Sequence, residues 1–144
     1  MTDLTLAAAN AIVAGTIEKA ASAGIKPLAI AVLDGAGQLL AFQRQDGTGG
    51  LHRADIAIGK AYGALAVGTS SRWLHVQQET RPHFLTGLIA VAGGKMVPVP
   101  GGVLIKQAET GAVLGAVGVS GDTSDNDEIA AAHGIVSAGF RADL

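Results

Sequence analysis

The sequence predicts an α+β fold in which helices pack against an antiparallel sheet, and three observations predict it. Two apolar runs of strand length flank the turn Asp34-Gly35-Ala36-Gly37, the pattern of a β-hairpin. Two more strand-like runs, 103–107 and 112–119, follow one another across Glu109-Thr110-Gly111. Helical periodicity bounds the chain at both ends, over 6–23 and about 124–139. Hairpin connections make neighbouring strands antiparallel, and the terminal helices then have one face of the sheet to cover.

A chain of 144 residues suits one domain, 1–144, large enough to bury a core without staples. No boundary, internal repeat or low-complexity segment divides it. Only 15% of residues are charged against 49% hydrophobic, which leaves little charged surface and predicts burial of one face in a homo-oligomer. The formal net charge of −2 argues against nucleic acid, whose binding needs a basic patch. No apolar run reaches the roughly 18 residues of a membrane span. Met1-Thr2-Asp3-Leu4 carries no basic segment of the kind that opens a secretory signal. With no cysteine, disulfides, thiolate metal sites and a cysteine nucleophile are all excluded. A cytoplasmic protein is the expectation.

In order, Thr5 is placed to cap the first helix, whose predicted buried face is Leu6, Ala9, Val13, Ile17 and Ala20, and Gly24 stands where its C-terminus needs a left-handed residue. Strand 27–33, the hairpin turn and strand 38–44 follow. The loop from Gln45 to Gly50 holds three glycines and opens a second helix, about 51–67, buried through Ala54, Ile58, Ala61 and Leu65. His52, Ile56 and Lys60 lie along an adjacent face, and Gly59 and Gly63 suggest close packing. From Thr69 to Leu88 the periodicity weakens. Ser71 is positioned to cap a short helix ending near Glu79, and Pro82 to start another. Gly93-Gly94 and Gly101-Gly102 then flank Met96-Val97-Pro98-Val99-Pro100, so two or three strands precede the last helix.

The stretch from Gly111 to Glu128 joins a strand of small residues to a helix start, a place where glycine lets other groups come close. Its acids Asp122, Asp125, Asp127 and Glu128 lack EF-hand spacing, whereas Ser124-x-x-Asp127 and Asp125-x-x-Glu128 read as capping boxes. Its strand is expected at the centre of the sheet.

Several pieces together carry a family resemblance: Ala29 to Asp34 with Gly37 and Leu40, Arg44-Gln45-Asp46-Gly47, and Ala57-Ile58-Gly59-Lys60-Ala61. Gly93-Gly94 and Gly115 to Gly121 with Asp127-Glu128 complete the set. Over about 4–139 the chain resembles the GlcG/HbpS family, which includes the C-terminal domain of PduO. The resemblance implies a profilin-like fold, homo-oligomers from tetramer to octamer, and haem or a related tetrapyrrole as the family-typical cofactor or ligand. It also implies occurrence in catabolic operons. Some members ligate haem through histidine, but the first helix here, 6–23, contains none.

On this reading Arg44, Asp46, His52 and Lys60 form a ligand-binding rim near a helix N-terminus, where partial positive charge favours a carboxylate or propionate. The bland alternative leaves His52 on the surface and gives Lys60 a structural salt bridge to Asp46 or another acid. Gly93, Gly94 and Lys95 would add backbone N–H groups and charge at the sheet's ligand-facing edge. His75 and His83, near Trp73, Arg72 and Arg81, are the candidate haem ligands, against the commoner role of such residues at a subunit interface. His133 reads as a core or interface histidine. A second function class is a small isomerase, tautomerase or hydrolase acting on a carboxylated metabolite, with His52 as the catalytic acid/base. No nucleotide-binding glycine pattern and no serine elbow support other chemistries.

Overall fold

The computed structural model describes residues 3–144. Ten elements follow in order: α1 (Leu6–Ala23), β1 (Ala29–Asp34), β2 (Leu39–Arg44), α2 (Arg53–Val67), α3 (Arg72–Thr80), α4 (Pro82–Val91), β3 (Gly102–Lys106), β4 (Val113–Ser120), α5 (Ser124–Ser137) and β5 (Arg141–Asp143). The strands form one open antiparallel sheet in the order β2-β1-β4-β3-β5, so β4 is central, as its small apolar residues suggested. The fold is α+β. The short β5 was hidden in what read as a polar tail. It pairs with β3, and Lys106 Nζ reaches Asp143 at 3.1 Å. Three residues are too few for an alternating pattern to be visible in sequence.

The terminal helices pack together on one face, as expected. There Ile12, Val13 and Ile135 meet Ile30, Val32, Val103, Ile105, Val117 and Val119. The opposite face belongs to α2. Register explains the split: Ile30 pairs with Val119 and Val32 with Val117, whereas Ala31 pairs with Gly118 and Gly118 with Gly102. A side chain at Gly118 would run into the Ala57 carbonyl, and one at Gly102 into the Lys60 carbonyl, so the helix backbone lies directly on the sheet.

Helix boundaries follow their caps. Thr5 accepts from the Ala8 amide at 3.0 Å, and Gly24 closes α1 with φ 68°. Leu6 falls outside the buried stripe, which runs through Ala9, Ile12, Val13, Thr16 and Ala20. In α5 the cap is Thr123, whose side chain accepts from the Asn126 amide at 3.2 Å, and neither Ser124 nor Asp125 begins a capping box. His133 is exposed together with Ile129 and Val136, because Ala130, Ala131, Gly134 and Ile135 make the inner face. Gly134 lets α5 lie close against α1 and Ile135 reaches the core, whereas Ile129 and Val136 point outward. Met96 to Pro100 forms no strand. It crosses α2 instead, with the Val97 amide donating to the Gly59 carbonyl at 3.2 Å.

Candidate functional site

The residues expected to form a basic rim on α2 do not converge. His52 is the exposed N-cap of α2 and makes no side-chain capping bond, while Arg44 ends β2 and Asp46 lies in the following loop, both exposed. Lys60 is turned inward and only 2% exposed. Its ammonium donates to the Val119 carbonyl at 2.9 Å and to Asp127 Oδ2 at 3.0 Å. Burial pushes its pKa below the ordinary lysine value, with the attraction of Asp127 opposing that shift. Asp127 also accepts from the Asp122 amide at 2.9 Å, which ties the β4–α5 turn to α2. The ammonium of Lys60 is thus committed to structure, with Asp127 as its acid rather than Asp46.

The neighbouring cations are committed as well. Arg53 donates to the Gly49 carbonyl and to Ser120 Oγ, each at 3.1 Å, and so holds the glycine loop against the end of β4. Arg72 pairs with Glu128 and Asp125, joining α3 to α5. His75 stands 3.6 Å from Glu79 on its own helix, and His83 is exposed near the start of α4. On the same two helices Trp73 meets Phe84 edge-on at 6.4 Å, and Arg81 covers the Phe84 ring at 4.3 Å. Among the described residues, no cluster of three or more histidine, aspartate or glutamate side chains could hold a metal.

A different part of α2 forms a cleft. Asp55, Ile56 and Tyr62 make one wall, Gly94, Lys95 and Val97 the other, and Gly37 of the β1–β2 turn closes one side around about 450 Å³. The walls are fixed by the fold. Gly59 lets the crossing segment lie against the helix, where a side chain would meet Val97 and the Lys95 carbonyl. Gly93 and Gly94 take φ 69° and 77°, which turns the chain out of α4 and carries Lys95 onto the cleft. Their amides are already occupied: Gly93 donates to Ala90 and Gly94 to Ile89, each at 3.0 Å. The expected anion contact through the Gly94 amide is therefore replaced by a helix cap. Lys95 Nζ lies 5.8 Å from the centre of the Tyr62 ring and has no carboxylate partner among the described residues.

A larger hollow of about 880 Å³ lies between the β1–β2 and β3–β4 turns. Size alone does not make it the better site. Its Asp34 is spent on its own turn, accepting from the Ala36 and Gln38 amides, and Thr110 donates to Gln107. No cation lines it.

Of the expected ligand set, Gly94 and Lys95 reach the α2 cleft, while Arg44, Asp46, His52, Lys60, Gly93, His75 and His83 are not among its lining residues. Tyr62, Ile56, Asp55 and Val97 were missed. A sequence signal existed, since Ile56 and Tyr62 are large apolar residues beyond those that α2 needs to cover the sheet.

The HbpS-like family model, described as haem degrading protein HbpS-like, matches residues 4–136. No curated protein matches the chain. Among solved structures, a PduOC:heme complex has the same fold with TM-score 0.86 at 22% identity, covering 99% of this chain and 100% of that one. Protein ORFY of Klebsiella pneumoniae gives TM-score 0.82 at 26% identity over 96% of this chain and 92% of its own. A double mutant of Streptomyces reticuli HbpS gives TM-score 0.80 at 28% identity over 94% and 87%. With the family model covering nearly the whole chain, this protein belongs to the HbpS-like family.

Proposed function

We propose that the protein binds a small molecule in the α2 cleft, with haem or a related tetrapyrrole as the leading candidate. The observation that carries this reading is the cleft itself: apolar walls from Ile56, Tyr62 and Val97, and one lysine without an acid partner. Family membership and the haem bound in the PduOC structure support the choice of ligand. The residues fit a porphyrin. Ile56, Tyr62 and Val97 would hold its body and Lys95 a propionate. Bound haem would supply redox and oxygen chemistry. Haemin titration followed at the Soret band tests the reading: a saturable shift that Lys95→Glu weakens supports it, and no shift at micromolar protein removes haem.

The protein is proposed to act in the cytoplasm as a homo-oligomer of four to eight subunits. In support, α4 reads Pro-His-Phe-Leu-Thr-Gly-Leu-Ile-Ala-Val, yet only Leu85 of it is buried, with Val91 86% exposed. An apolar helix left open in one chain calls for cover. Light scattering that gives a monomer at micromolar concentration would refute this. A second reading, catalysis on a carboxylated metabolite, keeps one supporting observation: His52 is exposed and its side chain is not used as a cap. Turnover that survives His52→Ala undiminished would remove it.

A further inference from the structure

The polar groups facing the α2 cleft are few, and they differ in what they can still bind. Amide donors from the Gly93-Gly94 turn are consumed by the end of α4. What remains is the ammonium of Lys95, the carboxylate of Asp55 and the hydroxyl of Tyr62, set among Ile56, Ile58 and Val97. Among the described residues, no histidine and no methionine lines the cleft. Lys95 is exposed and held near an aromatic face at 5.8 Å, so its charge is available to an incoming anion. A ring laid on Tyr62 would bring an attached carboxylate beside that ammonium, which combines stacking with an ion pair.

We propose that this cleft recognises a flat conjugated carboxylate through Lys95 and the ring of Tyr62, with an affinity that does not depend on a metal. The inference rests on the cleft being the ligand site and says what that site reads. Lys95 selects the acid group. Tyr62 selects the flat body, and its ring contributes more than its hydroxyl. The carboxylate of Asp55, in the first turn of α2, opposes an anion and accepts a hydrogen bond from a ligand N–H or O–H. The crossing segment is bonded to α2 through the Val97 amide and Gly59 carbonyl, so the cleft keeps its width without a ligand.

The experiment compares haemin, metal-free protoporphyrin IX, its dimethyl ester and 2-naphthoate. Binding is read from porphyrin absorbance and from the fluorescence of Trp73, which packs against the same apolar cluster as Tyr62. Protoporphyrin IX is expected to match haemin within about threefold, and the ester to bind about fivefold more weakly, the scale of one exposed ion pair. Lys95→Met should weaken the acids about fivefold and leave the ester unchanged. Tyr62→Leu should weaken acids and ester alike by about fivefold, while Tyr62→Phe keeps the ring and the affinity. Asp55→Asn should tighten the acids about twofold. Circular dichroism of each variant confirms the fold, and Tyr62→Phe tests the site without disturbing its packing.

Haemin binding at least about tenfold tighter than protoporphyrin IX, yet still sensitive to Lys95→Met, would overturn metal independence and leave the cleft as the site. Haemin binding indifferent to both Lys95→Met and Tyr62→Leu would overturn the cleft itself. If no porphyrin binds but 2-naphthoate does so through Lys95, the inference stands and the haem reading falls. Failure of all four probes overturns the inference.

Discussion

Toward α1 and α5 the sheet presents Ile30, Val32, Val103, Ile105, Val117 and Val119, whereas toward α2 the same three strands present Ala29, Ala31, Gly102, Ala116 and Gly118, with Leu33 and Leu104. On the first face, stability comes from interlocked side chains, each worth roughly 1.5–3 kcal/mol of transfer energy when fully buried. The second gives up side-chain volume so that a helix backbone can rest on the strands. One consequence is functional. A helix seated this closely is fixed in position, and its outer side, carrying Asp55, Ile56 and Tyr62, is free to wall a cleft. At the end of β4 the ion pair of Lys60 with Asp127 links the α2 layer to α5.

That link is where the largest effect is expected. Asp127→Asn leaves the Lys60 charge buried without its counter-ion and should cost about 3–5 kcal/mol in chemical denaturation. Replacing both partners, Lys60→Met with Asp127→Leu, should cost less than the single change, because it removes the unpaired charge. Additive losses would show that packing rather than charge dominates there.

The two faces should then respond differently to one carbon atom. Gly118→Ala adds a methyl group against the Ala57 carbonyl and should destabilise by about 3 kcal/mol. Ile30→Val removes one from the other face and should cost only about 1 kcal/mol. Equal losses in urea unfolding would erase the distinction drawn between the faces. Capping comes next, with Thr123→Ala at the start of α5 expected to cost about 1 kcal/mol.

The smallest expected effect depends on pH. The Asp122 carboxylate accepts from the Lys26 amide at 2.7 Å, from the Thr123 amide at 2.6 Å and from Asn126 at 3.2 Å. These bonds, the Lys26 amide foremost, hold its pKa below the ordinary aspartate value. A carboxylate held low in the folded state stabilises above its unfolded pKa, and that contribution is lost as pH falls through the folded value. Asp122→Asn should therefore flatten part of the acid limb of stability against pH and change little near neutrality. An unchanged acid limb would mean that the Lys26 contact carries no weight.

Much of the fold was legible because local patterns and tertiary packing agree. Thr5 and Gly24 bound α1, and the turn from Asp34 to Gly37 sets the hairpin. The small apolar run of β4 marks a strand buried on both faces. Less of the candidate site could be read. His52, Ile56 and Lys60 share a helix face, but that spacing fixes only angles about an axis. Whether a given side chain meets solvent, a carboxylate or a crossing loop depends on segments far away in sequence. The same limit hid the outward turn of His133, since α5 packs through Ala130, Ala131, Gly134 and Ile135 and leaves Ile129 and Val136 outside.

Local backbone preferences and the repeat of apolar residues were enough to mark both hairpins and the approximate limits of α1 and α2, whereas β5 and the pairing of β1 with β4 join segments distant in sequence. Folding, and not spacing, sets which lysine faces the α2 cleft. Lys60 lies beside Asp127, where burial and an ion pair enclose it, and Lys95 lies over Tyr62 with its charge free. The two have identical chemistry, and what separates them is the set of groups that folding brings to each.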